Sequence, residues 1–95
     1  MITLENLEET IKKLAGKYSI TTVKLFGSYA DGTATERSDI DLLLEFEKKN
    51  VSLLKLSELK IEISEELNNE VDIVHGPLPE KSLIDIKKVI QIYEQ

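Results

Sequence analysis

The sequence predicts a single α/β domain over residues 1–95, built on a small mixed sheet of about three strands flanked by helices. Two stretches, 3–15 and 52–67, repeat apolar residues at helical spacing. Three short runs, near 21–26, 39–46 and 71–74, are rich in apolar and β-branched residues and alternate with those helices, the order of an α/β sandwich. The 95 residues are 41% hydrophobic and contain two prolines, four glycines, no repeat and no low-complexity segment. That suffices for one modest core and leaves no room for a linker or a second domain.

Leu4, Leu7, Ile11 and Leu14 recur three, four and three residues apart, with Thr3 placed to cap the helix and Gly16 to stop it. Glu8 and Glu9 precede Lys12 and Lys13 by one helical turn and add small surface pairings. A short strand follows, and Thr22-Val23-Lys24-Leu25-Phe26 runs into Gly27-Ser28 at the edge region of the sheet, with Phe26 read as core. Tyr29 and Ala30 form one helical turn before Gly32, Tyr29 being read as a partly exposed loop residue. A polar loop continues through Arg37.

Asp39 to Phe46 reads as a central strand whose leucines, Leu42, Leu43 and Leu44, fill both faces. That pattern calls for helices on both sides or for an assembly partner on one. After the turn Glu47-Lys48-Lys49-Asn50, Ser52 caps a helix whose buried stripe is Leu53, Leu56, Leu59, Ile63 and Leu67, and Asn68-Asn69 ends it. Val71-Asp72-Ile73-Val74 is the third strand, and His75 at its end reads as a loop anchor. A last helix is predicted over 80–94, with Leu83, Ile86, Ile90 and Tyr93 on one stripe. Ile84 and Ile92 lie off that stripe and hint at burial against another chain.

Chemistry concentrates between Gly27 and Asp41. Side chains alternate along a strand, so Asp39 and Asp41 point the same way, their alpha carbons roughly 6–7 Å apart. Two carboxylates on one face repel unless a cation lies between them, and magnesium favours a pair of carboxylates together with phosphate oxygens. Gly27 lets the backbone approach a phosphate, and the N–H groups of the turn it opens, with the Ser28 hydroxyl, suit an anion. Asp72 sits among β-branched apolar neighbours, where a carboxylate needs a partner. The helix between the second and third strands suits a parallel crossover that sets Asp72 beside Asp39 and Asp41, completing a metal cluster. The alternative is an edge strand with Asp72 facing water.

Composition narrows the partners. Twelve basic and eighteen acidic residues give a net charge of −6 with no basic stripe, which disfavours direct nucleic-acid or membrane-surface binding. An acidic chain binds a nucleoside triphosphate through metal ions that bridge the charges. With no cysteine there is neither a disulfide framework nor a thiolate zinc site. No signal peptide or membrane span is evident, so a cytoplasmic protein is expected.

Gly27-Ser28, ten residues, then Asp39-Ile40-Asp41 resembles the signature of the polymerase-β-like nucleotidyltransferase superfamily. Gly27-Ser28-Tyr29-Ala30 and Ser38-Asp39-Ile40-Asp41-Leu42-Leu43 in so short a chain are similar to the minimal nucleotidyltransferases, the antitoxin-side partners of HEPN proteins. The resemblance covers nearly the whole chain and implies the polymerase-β-like fold. It implies ATP as substrate, two magnesium ions held by Asp39, Asp41 and Asp72, and triphosphate binding by Gly27 and Ser28. It further implies that Asp72 takes or orients the acceptor's proton. Many relatives carry a basic residue where this chain has Asp31, and Lys24 and Arg37 are the substitutes at hand.

The expected activity is AMP transfer from ATP to a tyrosine hydroxyl of a cognate HEPN toxin, in a complex with that partner. The alternatives are a nucleotidyltransferase acting on a small hydroxylated molecule and a non-catalytic antitoxin module that blocks its partner by contact.

Overall fold

The computed structural model describes residues 2–48, 50–76 and 88–95. Its elements run α1 (Leu4–Tyr18), β1 (Ile20–Phe26), α2 (Ser28–Asp31), β2 (Ile40–Phe46), α3 (Leu53–Leu67), β3 (Val71–His75) and β4 (Ile90–Glu94). The four strands form one mixed sheet in the order β3-β2-β1-β4. β1 pairs antiparallel with both β2 and β4, and β2 pairs parallel with β3.

The two long helices begin where the capping residues place them. Thr3 accepts a hydrogen bond from the Asn6 backbone N–H, and Ser52 does the same for Lys55. At the other end, Asn68 adopts a left-handed conformation, φ 51°, and closes α3. α1 runs past Gly16, contrary to the sequence expectation, and ends at Ser19 with φ 55°. Tyr18 extends the buried stripe of Leu7, Ile11 and Leu14 by one more turn, and that packing outweighs the roughly 1 kcal/mol that a mid-helix glycine costs.

α1 and α3 share one core with one face of the sheet. Val23, Leu25, Ile40, Leu42, Leu44 and Val71 from the strands are fully or almost fully buried in the same cluster as Ile11, Leu59 and Ile63. Burial of such a side chain contributes about 1.5–3 kcal/mol. The Tyr18 hydroxyl donates to Glu62 Oε1 at 2.9 Å and Lys17 Nζ donates to the same oxygen at 2.5 Å, joining the two helices at their polar margin. Leu53, placed by its spacing in the buried stripe, is 82% exposed.

The opposite face carries Asp41, Leu43 and Glu45 of β2, since residues one apart alternate. Leu43 is buried there, packed so closely by Gly76 that a Cβ on Gly76 would stand 2.9 Å from Leu43 Cδ1. His75 stacks edge-on against Phe46 with ring centroids 5.3 Å apart, which makes it the structural anchor expected of it.

Three expectations fail at the sheet's margins. Residues 90–94 form a fourth strand where a helix is predicted, and the predicted helical residues 80–87 lie outside the described residues. Ile90 and Tyr93 fit a helical stripe, but Ile90-Gln91-Ile92 also alternates as a strand, and pairing with β1 decides between the two periods. Ile92, read as a contact with another chain, is 6% exposed within this chain's own core. The same strand makes β1 interior, so the Gly27 turn leaves the middle of the sheet, not its edge.

Candidate active site

Three chain segments converge at the end of β1 and the start of β2. β1 ends in Phe26, which stands opposite Asp41 in the antiparallel register, and Asp41 stands opposite Asp72 in the parallel one. Asp41 is therefore the centre of the site, flanked on both sides by paired strands. Phe26, expected in the core, is half-buried and shares this outer face.

Gly27 turns the chain out of β1 with φ 75° and ψ −154°, a region open essentially to glycine alone. A Cβ there would collide with Asp41 Oδ2 and lie 3.2 Å from Asp41 Cγ. The backbone thus passes directly over the carboxylate. Gly27 caps the short helix α2, and its carbonyl accepts from the N–H groups of Ala30 and Asp31 at 3.0 and 3.1 Å. Ser28 opens α2, and its carbonyl accepts from the N–H groups of Thr33 and Ala34.

The loop that follows is braced by its own side chains. Asp31 Oδ1 accepts from the Thr33 N–H at 3.0 Å and from its hydroxyl at 2.6 Å. Asp31 therefore shapes the loop. Ser38 Oγ accepts from the Thr35 N–H. Asn69 Nδ2 donates to the Ser38 carbonyl, and the Ile40 N–H donates to the Glu70 carbonyl at 2.9 Å. Those two bonds tie the entry of β2 to the entry of β3 and hold Asp39 at the same end of the sheet as Asp72.

The three carboxylates differ in surroundings. Asp41 is half-buried, and burial, then Asp72, then Asp39 raise its carboxyl above the ordinary 3.8. Asp39 is exposed. Asp72 lies on an edge strand of the described sheet and is exposed, its carboxylate 3.6 Å from Lys60 Nζ on α3. Both readings of Asp72 hold in part: the crossover brings it beside Asp41, and the edge position leaves it facing water.

Among the described residues no three carboxylate or imidazole groups form a closed cation cage. The donor set nevertheless fits a hard divalent cation. It is all oxygen, and Asp41 carries unfavourable interactions with Asp39 and Asp72 that a cation would reverse.

Lys60 and Phe26 had no signal in the sequence as members of this site, because only the register and the crossover bring them there. Lys24 lies on the outer face two residues from Phe26, and Arg37 is exposed on the loop. The Tyr29 hydroxyl is buried without a hydrogen-bond partner among the described residues. A cavity of about 330 Å³, lined by Lys17, Tyr18, Phe46 and Lys55 among others, lies at the far end of the sheet, where Ile20 pairs with Phe46. No described helix is long and apolar enough to cross a membrane.

A family model described as polymerase beta, nucleotidyltransferase matches residues 8–94. The protein adenylyltransferase MntA of Thermococcus cleftensis is 38% identical over 78 residues, 78% of each chain. A toxin–antitoxin crystal structure with AMP-PNP superposes with a TM-score of 0.76 at 25% identity, over 93% of this chain and 73% of that one. A complex of a tri-AMPylated Shewanella oneidensis HEPN toxin with its MNT antitoxin gives a TM-score of 0.71 at 22% identity, over 98% and 74%. That last likeness is one of fold.

Proposed function

Because the chain belongs to the polymerase beta nucleotidyltransferase family, we propose that it is the antitoxin of a toxin–antitoxin pair and acts as a protein adenylyltransferase. It transfers AMP from ATP to a tyrosine hydroxyl of a cognate HEPN toxin. The observation that carries this reading is the position of Asp41, with Gly27 passing over its carboxylate on one side and Asp72 opposite it on the other. A triphosphate site and an acceptor site then share one central acid.

The roles follow from the surroundings. The N–H groups of the turn opened by Gly27, with the Ser28 hydroxyl, bind the β- and γ-phosphates. Asp39, Asp41 and Asp72 would hold two magnesium ions, which when bound would supply positive charge to neutralise the triphosphate and the charge that develops at the α-phosphate. Asp72, exposed on the edge strand beside Asp41, accepts the phenolic proton of the acceptor tyrosine. The phenolate oxygen bonds to the α-phosphorus, the bond from that phosphorus to the bridging oxygen breaks, and pyrophosphate leaves with Gly27 and Ser28. Asp39 and Asp72 are both exposed, so the site is open to an acceptor as large as a folded protein. A cytoplasmic location accords with this chemistry, since ATP and a toxin partner meet there.

Intact mass of the cognate HEPN toxin tests the reading directly. After incubation with this protein, ATP and magnesium, the toxin gains one or more AMP masses, and the Asp39→Ala/Asp41→Ala double variant gives none. A complex that forms without any mass gain would replace catalysis with inhibition by contact.

A further inference from the structure

We propose that the cavity at the far end of the sheet binds a small anion built on a flat ring, a ligand of the nucleoside monophosphate class, apart from the transfer site. The cavity measures about 330 Å³, within the range of small-ligand sites. It lies where Ile20 pairs with Phe46, the length of β1 away from Asp41, about 20 Å at strand rise. Lys17 and Tyr18 come to it from the end of α1, Phe46 from the end of β2 and Lys48 from the turn after it. Val51 and Lys55 come from the approach to α3 and its first turn.

Charge selects the sign of the ligand. In a chain of net charge −6, three lysines line this cavity and, among the described residues, no aspartate or glutamate does. Lys17 is balanced by Glu62, whereas Lys48 and Lys55 have no carboxylate at ion-pair distance among the described residues. The ammonium groups of Lys17 and Lys55 stand 5.5 and 5.9 Å from the centroid of the Tyr18 ring. Attraction to the ring gathers the two cations, and an anion in the cavity offsets the positive charge they accumulate there. The Ser52 hydroxyl already accepts from the Lys55 N–H as the cap of α3, so the lysines carry the recognition of charge. The apolar lining selects the body of the ligand. Tyr18 is buried and its hydroxyl donates to Glu62 Oε1 at 2.9 Å, which fixes the ring before any ligand arrives. Phe46 and Val51 are half-buried, and a flat ring laid against them removes their remaining apolar surface from water. Bare phosphate would answer the lysines and leave that surface wet, and an uncharged nucleoside would do the reverse.

The test titrates AMP into the protein without divalent metal, so that the carboxylates at the other end of the sheet repel a phosphate. Amide NMR on the isotope-labelled protein follows binding, with inorganic phosphate and adenosine as separate probes. AMP should shift the amides of Lys17, Tyr18, Phe46, Val51 and Lys55 and leave those of Gly27, Asp39 and Asp41 unmoved. It should bind about tenfold more tightly than either probe. Lys48→Gln/Lys55→Gln, both exposed positions, should weaken AMP binding roughly tenfold, and added salt should weaken it in the wild type. Asp41→Asn should leave it unchanged. No binding of AMP, shifts confined to Gly27 and the aspartates, or equal binding by the lysine variant would each overturn the site. Phosphate or adenosine binding as tightly as AMP would overturn the class of ligand. Should the lysine variant melt lower than the wild type, the shift map of the wild type decides alone: shifts at the lining are expected, and their absence overturns the assignment.

Discussion

Asp41 and Asp72 stand directly opposite each other in the parallel pairing of β2 and β3, although 30 residues separate them in the chain. With Asp39 two residues before Asp41, three acids meet at one end of the sheet. Burial and the two neighbouring carboxylates raise the Asp41 carboxyl above its ordinary value, so an ionised Asp41 is held there at a cost to stability.

Replacing Asp41 by Asn should stabilise the metal-free protein at neutral pH. The folded-state carboxyl titrates above its unfolded value, because of burial and of Asp72 and Asp39. Its stabilising contribution is therefore fully present below the unfolded pKa and lost as pH rises through the folded one. At pH 7 the ionised group opposes folding, and after screening its removal is worth about 0.5 kcal/mol, or roughly 2–4 °C. The advantage of Asp41→Asn should shrink as pH falls toward 4, and excess magnesium should raise the melting temperature of the wild type alone. A variant that melts lower than the wild type at pH 7 without metal would contradict the assignment of Asp41 as a repelled acid.

Gly27→Ala should lose both stability and nucleotide binding. The alanine would occupy a backbone conformation of φ 75° and ψ −154°, at about 1–3 kcal/mol. Its methyl group would also displace the Asp41 carboxylate. Thermal melts and ATP titration in the presence of magnesium measure the two effects separately. A variant that melts normally and binds ATP normally would show that the turn is not held as described.

Tyr29→Phe addresses the buried hydroxyl that has no partner among the described residues. An unsatisfied buried hydroxyl costs about 1–3 kcal/mol, and phenylalanine keeps the ring. The expected result is a stabilisation of about 1 kcal/mol, seen as a higher urea midpoint with an unchanged slope. A lower midpoint would mean that the hydroxyl is satisfied by a buried water or another group.

The elements that depend on neighbours along the chain were legible without coordinates. Thr3 and Ser52 mark the starts of α1 and α3 because a side-chain oxygen three residues ahead of an N–H is a local device. Asn68 marks an end for an equally local reason, its tolerance of a left-handed backbone. The Gly27-Ser28 and Asp39-Ile40-Asp41 motif was legible too, since a strand, a turn and a second strand are consecutive.

What only the tertiary structure decided are relationships between distant segments. Ile90 to Glu94 satisfies a helical and a strand period at once, and only an unpaired edge on β1 makes the strand win. Leu53 fits the apolar stripe of α3 by spacing, yet the sheet ends before it and leaves it in water. Lys60 reaches Asp72 because the crossover returns the chain past the helix, a contact with no sequence signature. By itself, the sequence determined which acids and which glycine the protein carries and the local turns that present them. The fold decided that Asp41 is the half-buried centre and that Asp72 stands beside it exposed, since burial and register depend on segments that meet only when the sheet forms.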